Sequence, residues 1–172
     1  MTLVTGPTAL IPPQGVTVIR VQSAKEMREA VLGCLEQNDI VIKAAAVADY
    51  RPKARFGAKV KKTEAQLAIE LEKNPDILAE IGARKEGRLL VGFAAETQDL
   101  VLNATGKLTA KNLDLVVAND VSQEGAGFNV DTNIVKLLFR DGRVEALPKM
   151  AKEELAGVIL EHVELLRGEQ RG

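Results

Sequence analysis

Three consecutive alanines, Ala44–Ala46, close an apolar run and are followed three residues later by a lone carboxylate, Asp49. Small side chains at a strand end let a ligand lie directly against main-chain N–H and C=O groups, whereas tight packing of a helix on a sheet is the alternative explanation. Asp49 is either a turn or capping residue or the residue that holds a ligand hydroxyl or a cation. One carboxylate combined with phosphate oxygens is a usual environment for Mg²⁺. The segment therefore predicts a flat ligand platform with a polar residue beside it.

Lysines follow this platform at two places in the chain. Lys59, Lys61 and Lys62 lie in a stretch that is rich in Lys and Arg from residue 51 onward. Such a stretch is either a solvated loop or a cluster of ammonium groups that neutralises a polyphosphate during phosphoryl or nucleotidyl transfer. Lys107 and Lys111 are four residues apart and so share one face of a predicted helix. Surface lysines would look the same, so both interpretations stand.

The composition excludes several other kinds of site. With 23 basic and 24 acidic residues the net charge is -1, which argues against a general surface for nucleic acid or anionic membranes. The single cysteine, Cys34, rules out a disulfide framework, and the single histidine, His162, nearly excludes a His-based zinc site or catalytic triad. Neither a secretory signal nor a membrane-spanning apolar run is found, which predicts a cytoplasmic protein. We interpret Cys34 and His162 as structural residues.

The pattern of elements predicts the scaffold that positions these residues. Apolar strands alternating with amphipathic helices indicate a Rossmann-like, doubly wound α/β fold with a mostly parallel sheet. In such sheets ligands bind at the carboxyl ends of the strands. A C-terminal β-hairpin turns at Asp141–Gly142, and the whole chain, 1–172, is predicted to be one domain. The predicted strands are 2–5, 16–21, 40–47, 88–94 and 113–118, and the predicted helices are 23–37, one starting at Asn74–Pro75, 97–111, and 149–166 ending at Gly168.

Several motifs occur in an order typical of one enzyme family: "AAVADYRP", "KVKK", "KNPDIL", "VGFAAET" and "KNLDLVVANDVS…GFNVDTN". With these motifs the chain resembles the phosphopantothenoylcysteine synthetases of coenzyme A biosynthesis. In bacteria these are usually fused behind a flavin-dependent decarboxylase domain, and they are dimeric. The resemblance covers essentially the whole chain, and it implies a homodimer and a possible decarboxylase partner.

The resemblance also implies a reaction and a set of binding residues. Members of the family use CTP, with Mg²⁺, to convert 4'-phosphopantothenate into an acyl-cytidylate, which then reacts with cysteine. Lys59 would be catalytic, because it would bind the triphosphate and stabilise charge during acyl-cytidylate formation. Asp49 would hold the nucleotide and its cation. The nucleotide-binding residues implied in this way are Lys43, Ala44, Ala45, Asp49, Lys59, Pro75, Asp76, Ile77, Leu78, Phe93, Lys107 and Lys111.

One departure from the family pattern concerns the start of the chain. The resemblance implies that family members begin with a strand, a Gly-Pro-Thr turn and a phosphate-binding loop with Asn-Arg-Ser-Ser-Gly-type residues, whereas "MTLVTGPTAL" corresponds to their second strand. We therefore expect an N-terminally truncated synthetase domain whose first strand lacks a neighbour. The alternative function is a catalytically incomplete nucleotide-binding or dimerisation module of the same fold. A nicotinamide-dependent oxidoreductase is disfavoured, because "EGAGF" at 124–128 leads into a hairpin rather than a helix.

Overall fold

The computed structural model describes residues 1–54, 68–123, 125–127 and 130–170. The chain folds as two compact units, of which the first comprises Met1–Cys34 and Ala46–Ile77 and the second Leu35–Ala45 and Leu78–Gly172. The strands are β1 (Thr2–Thr5), β2 (Thr17–Arg20), β3 (Ile40–Lys43), β4 (Tyr50–Pro52), β5 (Leu71–Lys73), β6 (Leu89–Glu96), β7 (Leu115–Asp120), β8 (Thr132–Asn133), β9 (Val135–Phe139), β10 (Val144–Ala146) and β11 (Met150–Ala151). The helices are α1 (Ala24–Cys34), α2 (Ile77–Ala83), α3 (Leu100–Ala110) and α4 (Lys152–Glu169), with a 3-10 turn at Leu35–Gln37.

In the first unit, α1 starts at the capping motif that the sequence predicts. The Glu26 amide donates to Ser23 Oγ at 3.2 Å, and the Glu26 carboxylate accepts from the Gln22 amide at 2.9 Å. These bonds satisfy amides that have no partner within the helix. Strands β1 and β2 pair in parallel, and β4 and β5 pair antiparallel.

The second unit is built on a mixed sheet of five strands in the order β10-β9-β7-β6-β3. Strands β3, β6 and β7 are parallel, and β9 and β10 form the antiparallel hairpin. Gly142 takes a φ of 90° in the hairpin turn, a conformation that favours glycine. The Rossmann-like architecture with a C-terminal hairpin and a final helix is therefore confirmed.

Side chains of this sheet alternate between two covered faces. One face forms a core with α4, in which the fully buried side chains are Leu89, Val91, Leu115, Val117, Leu137, Leu155, Ile159 and Val163. On the other face a Cβ added at Gly92 would lie 2.8 Å from the side chains of Leu78 and Leu113. Because strand residues alternate with a period of two, Glu96 at the end of β6 projects to the same face as Gly92.

Three predicted boundaries are wrong, each for a physical reason. The strand predicted at 40–47 ends at Lys43 and is only partly buried, because in the described part of the chain it pairs with β6 alone. The helix predicted from Asn74–Pro75 begins at Ile77, since Asn74 bonds elsewhere. The last helix continues through Gly168 to Glu169 because Gly168 keeps a helical backbone, which glycine tolerates at a cost of about 1 kcal/mol.

Gly82, near the end of α2, is a position where we expect a single methyl group to destabilise the protein. A Cβ at Gly82 would lie 2.0 Å from the Lys111 carbonyl oxygen, a backbone atom that cannot rotate away. Gly82→Ala should lower the free energy of unfolding by about 1–3 kcal/mol, as overpacking does. Gly157→Ala in α4 is the matched control, because nothing lies within 4 Å of its added Cβ. Urea denaturation of both variants should show a loss for Gly82→Ala and a gain of about 0.5–1 kcal/mol for Gly157→Ala, and equal effects would contradict the steric argument.

Candidate functional site

The predicted platform starts at the carboxyl end of β3 in the second unit. Lys43 is the last residue of β3, its Cα pairs with that of Gly92, and its Nζ donates to the Ala45 carbonyl oxygen at 3.0 Å. The side chains of Ala44, Ala45 and Ala46 are exposed. Packing of a helix on the sheet therefore does not explain these alanines, and a ligand lying against their main chain stays a prediction.

Phe93 lies next to this strand end, on β6. Its ring is half-buried and packs against the core formed with α4. Strand alternation places Phe93, Val117 and Asn119 on the same face of the sheet, with Asn119 opposite Ala95 in the β6–β7 register. The partly exposed edge of Phe93 thus borders the carboxyl ends of β6 and β7.

Asn119 is a candidate site residue that the sequence reasoning did not select. Its Oδ1 is buried and has no hydrogen-bond partner in the described part of the chain. A buried acceptor without a donor costs about 1–3 kcal/mol, so it is stabilised when a ligand supplies an N–H or O–H group. The segment "ANDVS" follows a strand and so drew attention to this region, but only the structure reveals the missing donor.

Lys107 reaches the same edge of the sheet from α3. Its Nζ lies 2.6 Å from Glu96 Oε1, and Glu96 is the last residue of β6. The second carboxylate oxygen accepts from Asn103 Nδ2 at 3.4 Å. The side chain of Glu96 is 18% exposed and that of Lys107 is 40% exposed. The ammonium group is therefore held by a carboxylate, in a side chain that is partly open to solvent.

Asp120 ends β7 beside Glu96 and stabilises the loop that follows. Its carboxylate accepts hydrogen bonds from the Ser122 hydroxyl and amide and, at 2.8 Å, from Gln123 Nε2. The Ser122 hydroxyl, followed by the Gln123 side chain, holds the pKa of Asp120 below its usual range. Asp120 is consequently ionised at neutral pH and fixes the first turn after the strand.

Lys111 lies further from this edge than Lys107. It caps the C-terminus of α3, and its amide donates to the Lys107 carbonyl. Its carbonyl oxygen is close to Gly82, and the chain enters β7 four residues later. The backbone of Lys111 is therefore near the amino ends of the strands, one helical turn beyond Lys107.

In the first unit, the loop that carries Asp49 is fixed by Asn74. The Asn74 amide donates to the Asp49 carbonyl at 2.7 Å, and its Nδ2 donates to the Ala48 carbonyl at 2.8 Å. Its Oδ1 accepts from Arg51 Nη1 at 2.7 Å. The predicted role of Asn74 as a helix cap is wrong, because all these groups bond the loop. Asn74 thereby determines where Asp49 lies.

The four predicted residues at the start of α2 divide into two kinds. Asp76 is exposed and Pro75 is half-buried. Ile77 and Leu78 are buried as whole residues, 2% and 6% exposed. The main-chain contacts predicted for this segment stay a prediction, and the predicted catalytic residue, Lys59, lies outside the described residues.

Asp49 is the predicted Mg²⁺ residue, and its surroundings fit a shared rather than a protein-enclosed cation. The side chain is exposed, and it makes no hydrogen bond or ion pair within the described part of the chain. The described residues contain no group of three or more His, Cys, Asp or Glu that could enclose a metal ion. Asp49 therefore suits a Mg²⁺ ion that takes its other ligands from phosphate oxygens and water.

Comparison with protein-family models identifies the fold family. Residues 1–166 match the model for the C-terminal domain of the DNA/pantothenate metabolism flavoproteins. The chain belongs to this family. The resemblance predicted from the motifs is confirmed, and the family's C-terminal domain accounts for nearly the whole chain.

Individual members of the DNA/pantothenate metabolism flavoprotein family support this assignment. The coenzyme A biosynthesis bifunctional protein CoaBC of Bacillus subtilis is 51% identical over 165 residues, which are 95% of this chain and 41% of that protein. A crystal structure of the C-terminal domain of a CoaBC protein matches with a TM-score of 0.82 at 43% identity, covering 98% of this chain and 74% of that one. The DNA/pantothenate metabolism flavoprotein from Streptococcus pneumoniae has a TM-score of 0.80 at 22% identity, covering 96% of this chain and 80% of that one, and shows the same fold. The chain thus spans less than half of its bifunctional relative.

Among the helices in the described residues, none combines the length and the apolar character needed to cross a bilayer.

Proposed function

We propose that the chain is the CTP-dependent synthetase domain that joins 4'-phosphopantothenate to cysteine in coenzyme A biosynthesis. The observation that carries this proposal is the edge of the sheet in the second unit. There, parallel strands end beside exposed alanines, a half-exposed phenylalanine and an accessible lysine. This is the position at which α/β sheets bind nucleotides, and the relatives are named as coenzyme A biosynthesis proteins.

The proposed reaction has two group-transfer steps. A carboxylate oxygen of 4'-phosphopantothenate attacks the α-phosphorus of CTP, the bond between the α- and β-phosphates breaks, and pyrophosphate leaves. The amine of cysteine then attacks the acyl carbon of the acyl-cytidylate. The bond to the cytidylate oxygen breaks, CMP leaves, and the amine loses a proton as the amide forms.

Residues of the second unit are proposed to contact the nucleotide in distinct ways. Lys43, Ala44 and Ala45 offer main-chain groups, and Phe93 offers a ring edge. Lys107 offers an ammonium group to the phosphates, a charge-assisted contact of about 1.5–3 kcal/mol. Asn119 adds an unsatisfied acceptor to this set, which an N–H donor of the nucleotide would satisfy. Lys111 is retained as a proposed contact on the basis of the family alone.

Residues 46–78 are proposed to contribute a cation ligand and main-chain donors. Asp49 is proposed to bind Mg²⁺ together with the triphosphate, and the bound ion supplies neutralisation of phosphate charge. The segment Pro75–Leu78 is proposed to contribute main-chain groups on the basis of the family alone. Lys59 is proposed to stabilise the charge that develops at the α-phosphate.

The proposed assembly rests on the family resemblance. Their name describes bifunctional proteins, and we propose a flavin-dependent decarboxylase domain as the partner activity. A homodimer and a cytoplasmic location complete the proposal.

Calorimetric titration tests the nucleotide specificity. Mg²⁺-CTP should bind this chain, whereas ATP and NADH, titrated under the same conditions, should bind at least about tenfold more weakly, a difference of about 1.4 kcal/mol. Equal binding of ATP would contradict the CTP preference. Preferential binding of NADH would contradict the ligase proposal and favour an oxidoreductase.

Turnover assays on this chain and on an N-terminally extended chain separate the ligase from the incomplete module. Both chains are supplied with CTP, 4'-phosphopantothenate and cysteine, and pyrophosphate release is followed. Turnover by either chain supports the ligase. Tight CTP binding without pyrophosphate release by either chain supports a nucleotide-binding module.

A further inference from the structure

We propose that Glu96 is the positioning residue of Lys107, that is, the group that holds this ammonium where a nucleotide phosphate can reach it. This inference rests on the proposed nucleotide site and assigns a new role within it. Glu96 Oε1 and Lys107 Nζ are 2.6 Å apart, within the range of a strong charge-assisted hydrogen bond.

The backbone of Glu96 is held by strand pairing. Glu96 belongs to β6, its Cα pairs with that of Asp120, and its carbonyl oxygen accepts from the Val121 amide at 3.1 Å. Asn103 Nδ2 donates to the Gln98 carbonyl at 3.0 Å and makes a longer contact, 3.4 Å, with the second carboxylate oxygen of Glu96. The start of the Glu96 side chain is therefore fixed by the sheet, and its carboxylate contacts one further helical side chain besides Lys107.

Lysine gains more from such a support than most residues do. Its side chain has four rotatable bonds, and fixing it costs about 2 kcal/mol of rotamer entropy. In Lys107 the bond to Glu96 already fixes the side chain in the folded protein, so this entropy is not lost again when a ligand binds. An ammonium has three donors, and a side chain that is 40% exposed keeps the others accessible to an incoming phosphate.

A negative charge beside a phosphate site has a second effect, which makes the proposal testable. Without Lys107, the carboxylate of Glu96 can only repel the anionic ligand. Removing Glu96 should therefore weaken nucleotide binding when Lys107 is present and should no longer weaken it when Lys107 is absent. A residue with a merely structural role would weaken binding equally in both backgrounds.

The experiment is a double-mutant cycle on this chain, and on the extended chain, read by calorimetry with Mg²⁺-CTP. Lys107→Ala should weaken binding about tenfold or more, as loss of a charge-assisted hydrogen bond predicts. Glu96→Ala should weaken CTP binding at least threefold, because it removes the hydrogen bond that holds Lys107 in place. Lys107→Ala/Glu96→Ala should bind no more weakly than Lys107→Ala alone. Glu96→Gln, which keeps an acceptor for Lys107, should restore part of the affinity.

Glu145→Ala provides the control, because it removes one carboxylate from the hairpin of the same unit, where Glu145 lies 3.0 Å from Nε2 of His162 on α4. It should leave the affinity for CTP unchanged, and thermal melting of every variant reports any loss of folding. The positioning role is overturned if Glu96→Ala leaves CTP binding unchanged or tighter, or if it weakens binding equally without Lys107. If neither wild-type chain binds CTP, or if Lys107→Ala binds as the wild type does, the proposed site fails and the role of Glu96 fails with it.

Discussion

Asp114→Asn should lower the free energy of unfolding by about 3–5 kcal/mol, because it leaves a buried ammonium without its counter-charge. Asp114 comes just before β7, and its side chain is only 7% exposed. It pairs with Lys85, whose side chain is 14% exposed, and with Arg140 Nε at 3.3 Å. Its second carboxylate oxygen accepts from the Leu90 amide at 2.7 Å. Asparagine has nearly the same shape as aspartate. The loss of stability therefore reports the change in charge and hydrogen bonding and not a change in volume.

Equilibrium denaturation of Asp114→Asn, followed by circular dichroism, gives this free energy directly. Asp141→Asn is the matched control, since Asp141 is 63% exposed and its carboxylate lies 3.8 Å from Arg143 Nε, while asparagine keeps an oxygen that can accept the 2.9 Å hydrogen bond from the Arg143 amide. An exposed pair of this kind contributes about 0–1 kcal/mol. Similar losses in both variants would show that the buried cluster has no special importance for stability.

Lys59→Gln should reduce CTP-dependent ligation by about 10²–10³-fold, the usual effect of removing a donor that stabilises charge in the transition state. The prediction rests on the proposed function and on the position of Lys59 in the "KVKK" motif. The melting temperature should stay nearly unchanged, because glutamine removes only the charge of the side chain. Pyrophosphate release and amide formation are measured separately, so that loss of the first step is distinguished from loss of the second.

Lys25→Gln is the control for Lys59→Gln. Lys25 lies on α1, is 74% exposed, and its Nζ lies 3.9 Å from Glu29 Oε1. The rate of ligation by the Lys25→Gln variant should equal that of the wild type. A wild-type rate in Lys59→Gln would refute the catalytic role, and an equal loss in both variants would indicate a general effect of charge.

The sequence predicts the scaffold well because the order and hydrophobic period of the elements are local properties. The alternation of strands and helices, the Ser23–Glu26 capping motif and the Asp141–Gly142 turn all occur where their patterns indicate. Element ends are less predictable when a distant partner decides them. Asn74 follows the pattern of a helix cap, yet it bonds a loop 25 residues earlier in the chain.

The candidate site is predictable in its location but not in its interactions. The strand ends and the lysines are visible in the sequence, as is the exposed Asp49. The unsatisfied oxygen of Asn119 and the bond between Glu96 and Lys107 depend on strand register and on where α3 lies, neither of which has a local signal. The nucleotide-binding residues beyond these geometric observations remain predictions from the family.

The hydrogen bonds of Asn74 also decide when conformational entropy is lost. Fixing the backbone of one residue costs about 1–2 kcal/mol, and a loop that orders only on binding subtracts that cost from its affinity. Asn74 bonds the Ala48 and Asp49 carbonyls and Arg51, which are contacts within the protein itself and involve no ligand atom. Ordering this loop is therefore part of folding. If Asp49 binds Mg²⁺ as proposed, the entropy of ordering its loop is not subtracted from the affinity of that contact.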